Sequence, residues 1–433
     1  MDKSSKKIIP AKKITGSVQV MPDKSITHRA LMLSAVAEGS TIINNASQAL
    51  DCVSTRNCLK SLGIKIDSHA SSLNVFGKGR QGLKKPNRML DAGNSGSTIR
   101  MLSGILAGQG FAVEINGDSS LQKRPMKRIV DPLRLMGAVI TGINSFNGNI
   151  LCPLAINGTP SLQAVVWHMN VASAQVKTAV LFAGINAAGT TTIIEPSASR
   201  DHTERMLELF GCPVCKVNNS ISITGPVDLR ATELTIPGDF SSAAFFIVLA
   251  SLLPGSEIIL RDVGVNTTRT GLISILQRMG ADIRIMNRKE LGNEPVGDIY
   301  VTHHKLHATV IQADEIPAMI DEIPILAVAA SLAQGKTIIK GAGELKFKES
   351  NRLEAIAEGL TRLGADIQVT DDGLTLQGKS SLHGAEVDSY DDHRIAMSLA
   401  VAAHCADSVS YISHADCVDI SFPGFWRILK NTR

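Results

Sequence analysis

The sequence predicts an α/β protein of two lobes, each built from three related units whose first helices are buried. One observation behind this prediction is a recurring pattern: a polar head, an apolar helical stretch, a turn of small residues and a β-branched strand. Another is a second helix in each unit, usually ended by a Leu-Gly or Met-Gly step. The six copies begin 71, 77, 67, 82 and 70 residues apart, at Lys24, Ser95, Ala172, Asp239, Asp321 and Asp391.

The two helices of a unit differ in their expected surroundings. The first is apolar on all sides, as in the stretch DFSSAAFFIVLASL, and such a helix is expected inside a lobe. The second is followed by a glycine and a strand. Glycine is favoured just after a helix because it adopts left-handed backbone angles without strain. We expect this role for Gly63, Gly137, Gly280 and Gly364.

The lobe boundary follows from dividing the six units into two groups of three, which places it near Pro237–Gly238. The sixth unit ends the sequence without a closing strand, whereas residues 6–20 contain strand-like sequence that belongs to no unit. We therefore predict a first lobe of residues 23–236 and a second lobe of residues 237–433 completed by residues 1–22. The two chain crossings between lobes predict a hinge.

Composition narrows the class of protein. The 433 residues are 44% hydrophobic, enough for full globular cores, and only 4% aromatic, which disfavours a surface that stacks nucleic-acid bases. The net charge of +4 is weak, so a strong positive field must come from local clusters. Only Cys212 and Cys215 have C-x-x-C spacing, and reduced thiols are expected rather than zinc. Without a signal-like or membrane-spanning segment, we expect a cytoplasmic protein.

The polar heads predict an anion site. Buried first helices bring their heads to one face of a lobe, and each helix N-terminus carries about half a positive charge. A solvated cap explains one such head, but cationic heads at equivalent positions of a repeat favour anionic ligands. The head residues are Lys24, Ser25 and Arg29; Asn94, Ser95, Ser97 and Arg100; Ser173, Gln175 and Lys177; Asp321 and Glu322; and Asp391, Asp392, His393 and Arg394.

The connections between helices add further charge, with Arg and Lys suited to carboxylate and phosphate groups. These cations include Lys123, Arg124, Lys127, Arg128, Arg200, Arg205, Lys346, Lys348 and Arg352. Asp321 and Glu349 lie among them in sequence. They are candidates for a base and an acid, and neutralisation of their neighbours is the alternative. No P-loop, dinucleotide fingerprint or metal motif is present, so we expect chemistry without a nucleotide, cofactor or metal.

Seven stretches of sequence that contain these head and connection residues together resemble the 5-enolpyruvylshikimate-3-phosphate (EPSP) synthase family of enolpyruvyl transferases. They are DKSITHRA, LDAGNSGSTIR, GDSSLQKRPM, SAQVK, SRDHTERM, KESNRL and DDHRIAM. The resemblance covers essentially the whole chain. It implies a two-lobed inside-out α/β barrel with three βαβαββ repeats per lobe. It also implies transfer of the enolpyruvyl group of phosphoenolpyruvate to the 5-hydroxyl of shikimate 3-phosphate, through a tetrahedral intermediate and with release of phosphate. A monomer acting on small molecules is expected.

The resemblance implies roles for particular residues. The catalytic group would be Asp321, Glu349, Lys24 and His393, with Asp321 accepting the hydroxyl proton, Glu349 protonating the methylene carbon and His393 orienting Glu349. Shikimate 3-phosphate would be bound by Lys24, Ser25, Arg29, Ser173, Ala174, Gln175, Arg200, Asp321 and Lys348. Phosphoenolpyruvate would be bound by Lys24, Asn94, Gly96, Arg124, Gln175, Arg352 and Arg394. In this chain Ala174 replaces a serine, and Ile420 a lysine, of some members.

Two other functions compete with this one. The sister enzyme that transfers enolpyruvate to UDP-N-acetylglucosamine shares the fold and the leading lysine, but its usual loop cysteine has no counterpart in NGDSSLQKRPMKR. A non-catalytic anion-binding repeat protein is disfavoured because Lys24, Asp321 and Glu349 are all present. An assay of phosphate release with each acceptor separates the three functions.

Overall fold

The computed structural model of this chain describes residues 5–69, 71–146 and 148–432. The predicted lobe ranges also include residues 1–4, Ala70, Asn147 and Arg433, which lie outside the described residues. The chain folds into two compact units. We call Pro22–Ile236 together with Leu291–Glu294 the first lobe, and the remainder, up to Met21 and in Pro237–Glu290 and Pro295 onward, the second lobe.

Helices occur throughout both lobes, and none of those described is long and apolar enough to cross a membrane. The α-helices are α1 Lys24–Val36, α2 Leu50–Ser61, α3 Gly96–Ala107, α4 Lys127–Leu135, α5 Ala174–Gly184, α6 His202–Leu209, α7 Phe240–Leu252, α8 Gly271–Arg278, α9 Ile323–Leu332, α10 Arg352–Arg362, α11 His393–His404, α12 Val418–Ser421 and α13 Phe425–Asn431. Short 3₁₀ helices span Leu121–Lys123, Ala313–Ala318, Ile320–Glu322, Gly343–Phe347 and Ala415–Cys417.

The strands are short and alternate with these helices. They are β1 Lys6–Ile8, β2 Thr15–Val18, β3 Ala37–Asn44, β4 Lys65–His69, β5 Ser72–Lys78, β6 Leu90–Asp91, β7 Ala112–Asn116, β8 Val139–Phe146, β9 Asn149–Asn157, β10 Val166–His168, β11 Gly189–Ile194, β12 Cys215–Val217, β13 Ser220–Gly225, β14 Leu229–Arg230, β15 Glu233–Thr235, β16 Glu257–Gly264, β17 Asp282–Leu291, β18 Glu294–Thr302, β19 Val310–Ile311, β20 Lys336–Ile339, β21 Asp366–Val369, β22 Leu374–Gln377, β23 Glu386–Asp388 and β24 Ser410–Ser413.

The sheets repeat one arrangement, which confirms the prediction of an α/β fold made of related units. Each sheet has a parallel pairing at its edge, made twice in the sheet of β3 by β14 and β15, and an antiparallel neighbour follows. The orders are β14-β3-β5-β4 with β15 also beside β3, β6-β7-β9-β8, β10-β11-β13-β12, β2-β16-β18-β17, β19-β20-β22-β21 and β23-β24-β1. Among the described residues no sheet closes into a barrel.

The N-terminal segment supplies strands to the second lobe. β2 pairs in parallel with β16, and β1 pairs antiparallel with β24, where Lys6 lies opposite Ile412. The last strands of the first lobe have a similar place, since β14 and β15 both pair in parallel with β3. Strands from distant parts of the sequence therefore pair with these sheets at their edges. The pairing gives hydrogen-bond partners to backbone groups that would otherwise lack them.

Burial of the first helices is confirmed. In α7 every residue from Phe240 to Ser251 is buried, and α1, α3, α5, α9 and α11 are buried over most of their length. The second helices α4, α8 and α10 are amphipathic and end as predicted. The four expected glycines have positive φ angles of 87° to 108°, at Gly63, Gly137, Gly280 and Gly364. These buried helices fix where the polar heads lie.

Candidate active site

The head of α1 is held by two carboxylates. The Asp23 side chain caps the helix by accepting a hydrogen bond of 2.8 Å from the Ile26 amide. The next residue, Lys24, lies 3.0 Å through its Nζ from Oδ2 of Asp51, at the start of α2. Both side chains keep part of their surface exposed. The Lys24 ammonium, which is predicted to bind anions, is thus positioned by Asp51, a residue that no sequence pattern indicated.

Arg29 joins α1 to two neighbouring helices. Its Nε donates to Oγ1 of Thr203 at 2.7 Å, its Nη2 to Oγ1 of Thr178 at 2.8 Å, and its Nη1 to the Ser25 carbonyl at 2.9 Å. Burial lowers the pKa of Arg29 to about 10, against the opposing charge of Glu204, so the guanidinium stays charged at neutral pH. Its contact with shikimate 3-phosphate stays a prediction, since the described bonds are all internal to the first lobe.

Gln175 bridges the heads of α3 and α5. Its Oε1 accepts from Nη1 of Arg100 at 2.9 Å, and its Nε2 donates to Oγ of Ser97 at 3.0 Å. The same arginine lies over Gly96, the first residue of α3. A Cβ atom at that glycine would come within 2.8 Å of Nη1 of Arg100 and 3.4 Å of Nη1 of Arg124. The helix N-terminus and two guanidiniums therefore surround a backbone without a side chain.

The other predicted residues of the first lobe lie at these same helix ends. Nη2 of Arg124 donates to Oδ1 of Asn94 at 2.8 Å, and Asn94 donates in turn to Asp118 at 2.7 Å. Ser173 is the N-cap of α5, and its side chain accepts from the Val176 amide. Ala174 is the first residue of that helix, and Arg200 is half-buried two residues before α6 begins. The structure thus brings together cations, amides and three helix N-termini.

Lys177 does not join this group, contrary to its assignment to the polar head. It is buried, and its Nζ lies 3.0 Å from Oε2 of Glu195 and 2.7 Å from Oε1 of Glu204. Burial raises the pKa of Glu204, and the lysine opposes that shift. The physical reason is the helical period: Lys177 lies one turn inside α5, where the surrounding side chains bury it. It stabilises the lobe interior.

In the second lobe, Asp321 is surrounded by three cations. Its Oδ1 lies 3.6 Å from Nζ of Lys348 and 3.4 Å from Nη1 of Arg352. Nη2 of Arg394 is 3.9 Å from Oδ2, and Nη1 of the same arginine donates to the Asp321 carbonyl at 3.0 Å. The carboxylate remains partly exposed. It can therefore meet a ligand and accept a proton while its ionised form is stabilised.

Arg352 links this aspartate to Glu349. The guanidinium is 2% exposed, its Nε donates to Oδ2 of Asp392 at 2.8 Å, and its Nη2 contacts Oε2 of Glu349. Burial tends to lower the pKa of Arg352, but Asp392, Glu349 and Asp321 outweigh burial and raise that pKa above its ordinary value. One permanent cation thus holds three carboxylates from three elements. The sequence placed Asp321 and Glu349 among cations, and the structure brings both to the same guanidinium.

A further set of contacts, made by buried residues, connects Arg394 of this cluster to the start of α7. Nη1 of Arg394 lies 3.4 Å from Oε1 of the buried Glu322, which also contacts the Ser241 hydroxyl. Nη2 of Arg269 donates to that hydroxyl at 2.9 Å and lies 3.4 Å from Oδ1 of Asp239, the N-cap of α7. The heads of α7, α9 and α11 are therefore connected. Ser241 and Arg269 were not among the predicted site residues.

His393 begins α11 directly after the cap residue Asp392 and is almost fully buried. Its orienting effect on Glu349 stays a prediction. Lys348 follows the 3₁₀ helix Gly343–Phe347 and is partly exposed, and Ile420 lies half-buried in α12. Within the described residues, no group of three or more His, Cys, Asp and Glu side chains is arranged to hold a metal ion.

These two clusters, one in each lobe, place cations at helix N-termini and partly exposed carboxylates beside cations, the arrangement expected of an enzyme that acts on small polyanions. Comparison with known families gives the particular family. The model of EPSP synthase (3-phosphoshikimate 1-carboxyvinyltransferase) matches residues 8–429. The chain belongs to the EPSP synthase family, and the resemblance seen in its motifs is confirmed.

Individual relatives agree over their full lengths. The 3-phosphoshikimate 1-carboxyvinyltransferase of Desulforamulus reducens is 48% identical over 424 residues, which cover 98% of each chain. That of Bacillus licheniformis is 48% identical over 419 residues, covering 96% of this chain and 97% of the relative. The solved structure of EPSP synthase from Acinetobacter baumannii superimposes with a TM-score of 0.88 at 39% identity, covering 99% of this chain and 98% of that one.

Proposed function

We propose that the two clusters carry out the reaction of the family in this chain. The chain is an enolpyruvyl transferase that moves the enolpyruvyl group of phosphoenolpyruvate to shikimate 3-phosphate and releases phosphate, and membership of the family confirms this predicted function. The observation that supports our assignment of residues is the shared guanidinium: Arg352 contacts both Asp321 and Glu349, two carboxylates that each remain partly exposed.

Binding is assigned to the cationic helix heads. Shikimate 3-phosphate is bound by Lys24, Ser25, Arg29, Ser173, Ala174, Gln175, Arg200, Asp321 and Lys348, and phosphoenolpyruvate by Lys24, Asn94, Gly96, Arg124, Gln175, Arg352 and Arg394. Two polyanions repel one another, so the site must offset that repulsion before the reacting atoms can meet. Helix N-termini and guanidiniums supply this field without reorganisation during the reaction.

The chemical steps balance through two carboxyl groups. Asp321 accepts the proton of the 5-hydroxyl as the oxygen attacks C2 of phosphoenolpyruvate, and Glu349, with Lys24, gives a proton to C3. The methylene becomes a methyl group in a tetrahedral phosphate ketal. Glu349 then takes a proton back from C3, the double bond re-forms, and the bond from C2 to the phosphate oxygen breaks. The departing phosphate takes the proton held by Asp321, so both carboxyl groups return to their starting states. His393 orients Glu349 for both proton transfers.

Acceptor choice tests this function. Phosphate release from phosphoenolpyruvate is expected with shikimate 3-phosphate and not with UDP-N-acetylglucosamine, because the loop of residues 116–128 has no cysteine and the Arg and Ser side chains at the helix heads suit a small phosphorylated acceptor. The measurement is phosphate release with each acceptor at one pH and salt concentration. Turnover with the nucleotide sugar would assign the chain to the sister activity, and release with neither would support a binding protein.

The resemblance to the family also implies a competitive inhibitor, glyphosate, whose phosphonate reaches further than phosphoenolpyruvate, and with Gly96 present we expect this chain to be glyphosate-sensitive. A methyl group at Gly96 is expected to weaken glyphosate more than phosphoenolpyruvate. The added Cβ would lie 2.8 Å from Nη1 of Arg100, so that guanidinium must shift, and the longer phosphonate ligand has less room to adapt. In Gly96→Ala, the inhibition constant of glyphosate should rise by roughly tenfold or more, since overpacking by one methyl group typically costs ~1–3 kcal/mol.

The matched control is Gly110→Ala, where the nearest atom to a new Cβ would be Pro160 Cδ at an ordinary 3.8 Å. Both constants are measured in wild type and in the two variants under one set of conditions. Equal weakening of glyphosate and phosphoenolpyruvate in Gly96→Ala would show that the glycine does not select by ligand length.

We also propose that the chain works as a cytoplasmic monomer. All seven cysteines lie among the described residues and are free thiols. Free thiols are typical of proteins in the reducing cytoplasm, which supports this location. Both clusters are formed within one chain, so catalysis requires no partner subunit. Size-exclusion chromatography with light scattering tests the monomer, and a concentration-dependent specific activity would contradict it.

A further inference from the structure

A chain of hydrogen bonds between one buried histidine and three buried hydroxyl groups runs from α1 to the N-terminus of α3. Nδ1 of His28 lies 2.7 Å from Oγ1 of Thr55, which lies 2.7 Å from Oγ1 of Thr98. The Thr98 hydroxyl is 2.7 Å from Oγ of Ser95, the N-cap of α3. All four side chains are at most 1% exposed. The chain crosses from α1 through α2, which carries Thr55, to the residue that directly precedes Gly96.

The bonds of this chain can all be made in one direction. Ser95 Oγ accepts from the Thr98 amide at 3.1 Å, and the Thr98 hydroxyl, which also lies 3.4 Å from the Asp51 carbonyl, can donate to the same oxygen. In that arrangement the Thr55 hydroxyl donates to Thr98 and accepts from Nδ1–H of His28. Burial lowers the pKa of His28 to about 4, which Asp51 opposes, so the ring is neutral at neutral pH. A neutral ring with one N–H suits this direction.

The two ends of this chain of hydrogen bonds differ in the other contacts that hold them in place. The head of α1 has its own supports, because Arg29 donates to Thr203, Thr178 and the Ser25 carbonyl, all within the first lobe. The N-cap of α3 depends on the contacts between Thr98 and Ser95, since the Ser95 side chain accepts both of its described bonds from that one residue. Weakening the chain should therefore act mainly on the start of α3.

We infer that Thr55 is a positioning residue that holds the N-terminus of α3, with Gly96, in register with the head of α1. This inference rests on the proposed function. The buried chain of His28, Thr55, Thr98 and Ser95 sets the relative positions of the first-lobe residues that bind phosphoenolpyruvate and those that bind shikimate 3-phosphate. Thr55 does not touch either substrate, and its effect passes through Thr98 and the cap.

The test is Thr55→Val, which keeps the shape of the side chain and removes its hydroxyl group. The KM for phosphoenolpyruvate is expected to rise about tenfold, because one buried hydrogen bond changes an equilibrium by roughly that factor. The Kd of shikimate 3-phosphate alone, measured by calorimetry, should stay within about twofold, since the Arg29 bonds remain. Thr55→Ser restores the hydroxyl and should restore the KM.

The matched control is Thr41→Val in β3. Thr41 is equally buried, but its Oγ1 has no described hydrogen-bond partner, so the same change removes no bond. Its kinetic constants should equal those of wild type. Thermal unfolding of each variant is recorded, and kinetics are measured well below every midpoint. If Thr55→Val does not fold, Thr55→Cys replaces it, because a thiol is a weak donor and acceptor, and an intermediate KM is expected.

An unchanged KM for phosphoenolpyruvate, or equal weakening of both substrates, would overturn the positioning role. So would a KM in Thr55→Ser as high as in Thr55→Val. These outcomes leave the proposed function intact, because they are scored against active wild type and Thr41→Val. Failure of the function itself is distinguishable, since wild type would then release no phosphate with shikimate 3-phosphate.

Discussion

Replacing Asp321 by alanine is expected to lower turnover by roughly 10²–10⁴-fold, the usual contribution of a positioned general base. The carboxylate lies against Lys348, Arg352 and Arg394, which stabilise its ionised form, and it remains partly exposed. Removing it takes one negative charge from among three cations. The field on an anionic ligand then becomes more positive, so binding of both substrates should persist while proton removal fails.

The measurement is kcat together with the Kd of shikimate 3-phosphate. Asp314→Ala is the matched control, since Asp314 is an exposed carboxylate in the nearby 3₁₀ helix Ala313–Ala318. It should leave both constants unchanged. Near-wild-type turnover in Asp321→Ala would remove this residue from the mechanism. A fall in kcat together with loss of binding would instead show that its contact with shikimate 3-phosphate, and not proton removal, is its main contribution.

Glu349→Gln is expected to reduce turnover by a similar factor, roughly 10²–10⁴-fold, with binding of shikimate 3-phosphate largely intact. The amide keeps the shape of the side chain and an acceptor oxygen for Nη2 of Arg352, but it cannot deliver a proton. Arg352 is also held by Asp392 at 2.8 Å, so the guanidinium should stay in place. The loss should therefore appear in kcat.

Glu354→Gln gives the control for this change, because Glu354 is exposed in the first turn of α10, five residues along the chain. Single-turnover measurements in both variants separate the chemical step from product release. Turnover by Glu349→Gln close to that of the control would show that another group protonates the methylene carbon.

Much of the fold could be predicted because its signals are local. Apolar stretches without a polar face become buried helices, and the step into a strand needs left-handed glycine, as at Gly63 and Gly364. Asp321, Glu349 and Arg352 were predicted for the same reason, since two of them lie three residues apart and the third opens a repeat.

Other features depend on contacts that sequence spacing does not encode. Asp51 reaches Lys24 from another helix, and nothing around it distinguishes it from a surface acid. Lys177 occupies a head position, yet the helix turns it towards Glu195 and Glu204. The segment Leu291–Glu294, formed by the last residue of β17, the turn and the first residue of β18, belongs to the first lobe, where Glu294 lies 2.7 Å from His202. This excursion has no counterpart in the repeat pattern.

Enolpyruvyl transfer to shikimate 3-phosphate by addition and elimination is tested most directly by turnover in deuterated water, with mass spectrometry of the product. We expect the enolpyruvyl adduct of shikimate 3-phosphate, with deuterium in its methylene group, because C3 gains a solvent-derived proton and later loses one of three. An adduct without deuterium would contradict the addition and elimination steps, and the absence of any adduct would contradict the function.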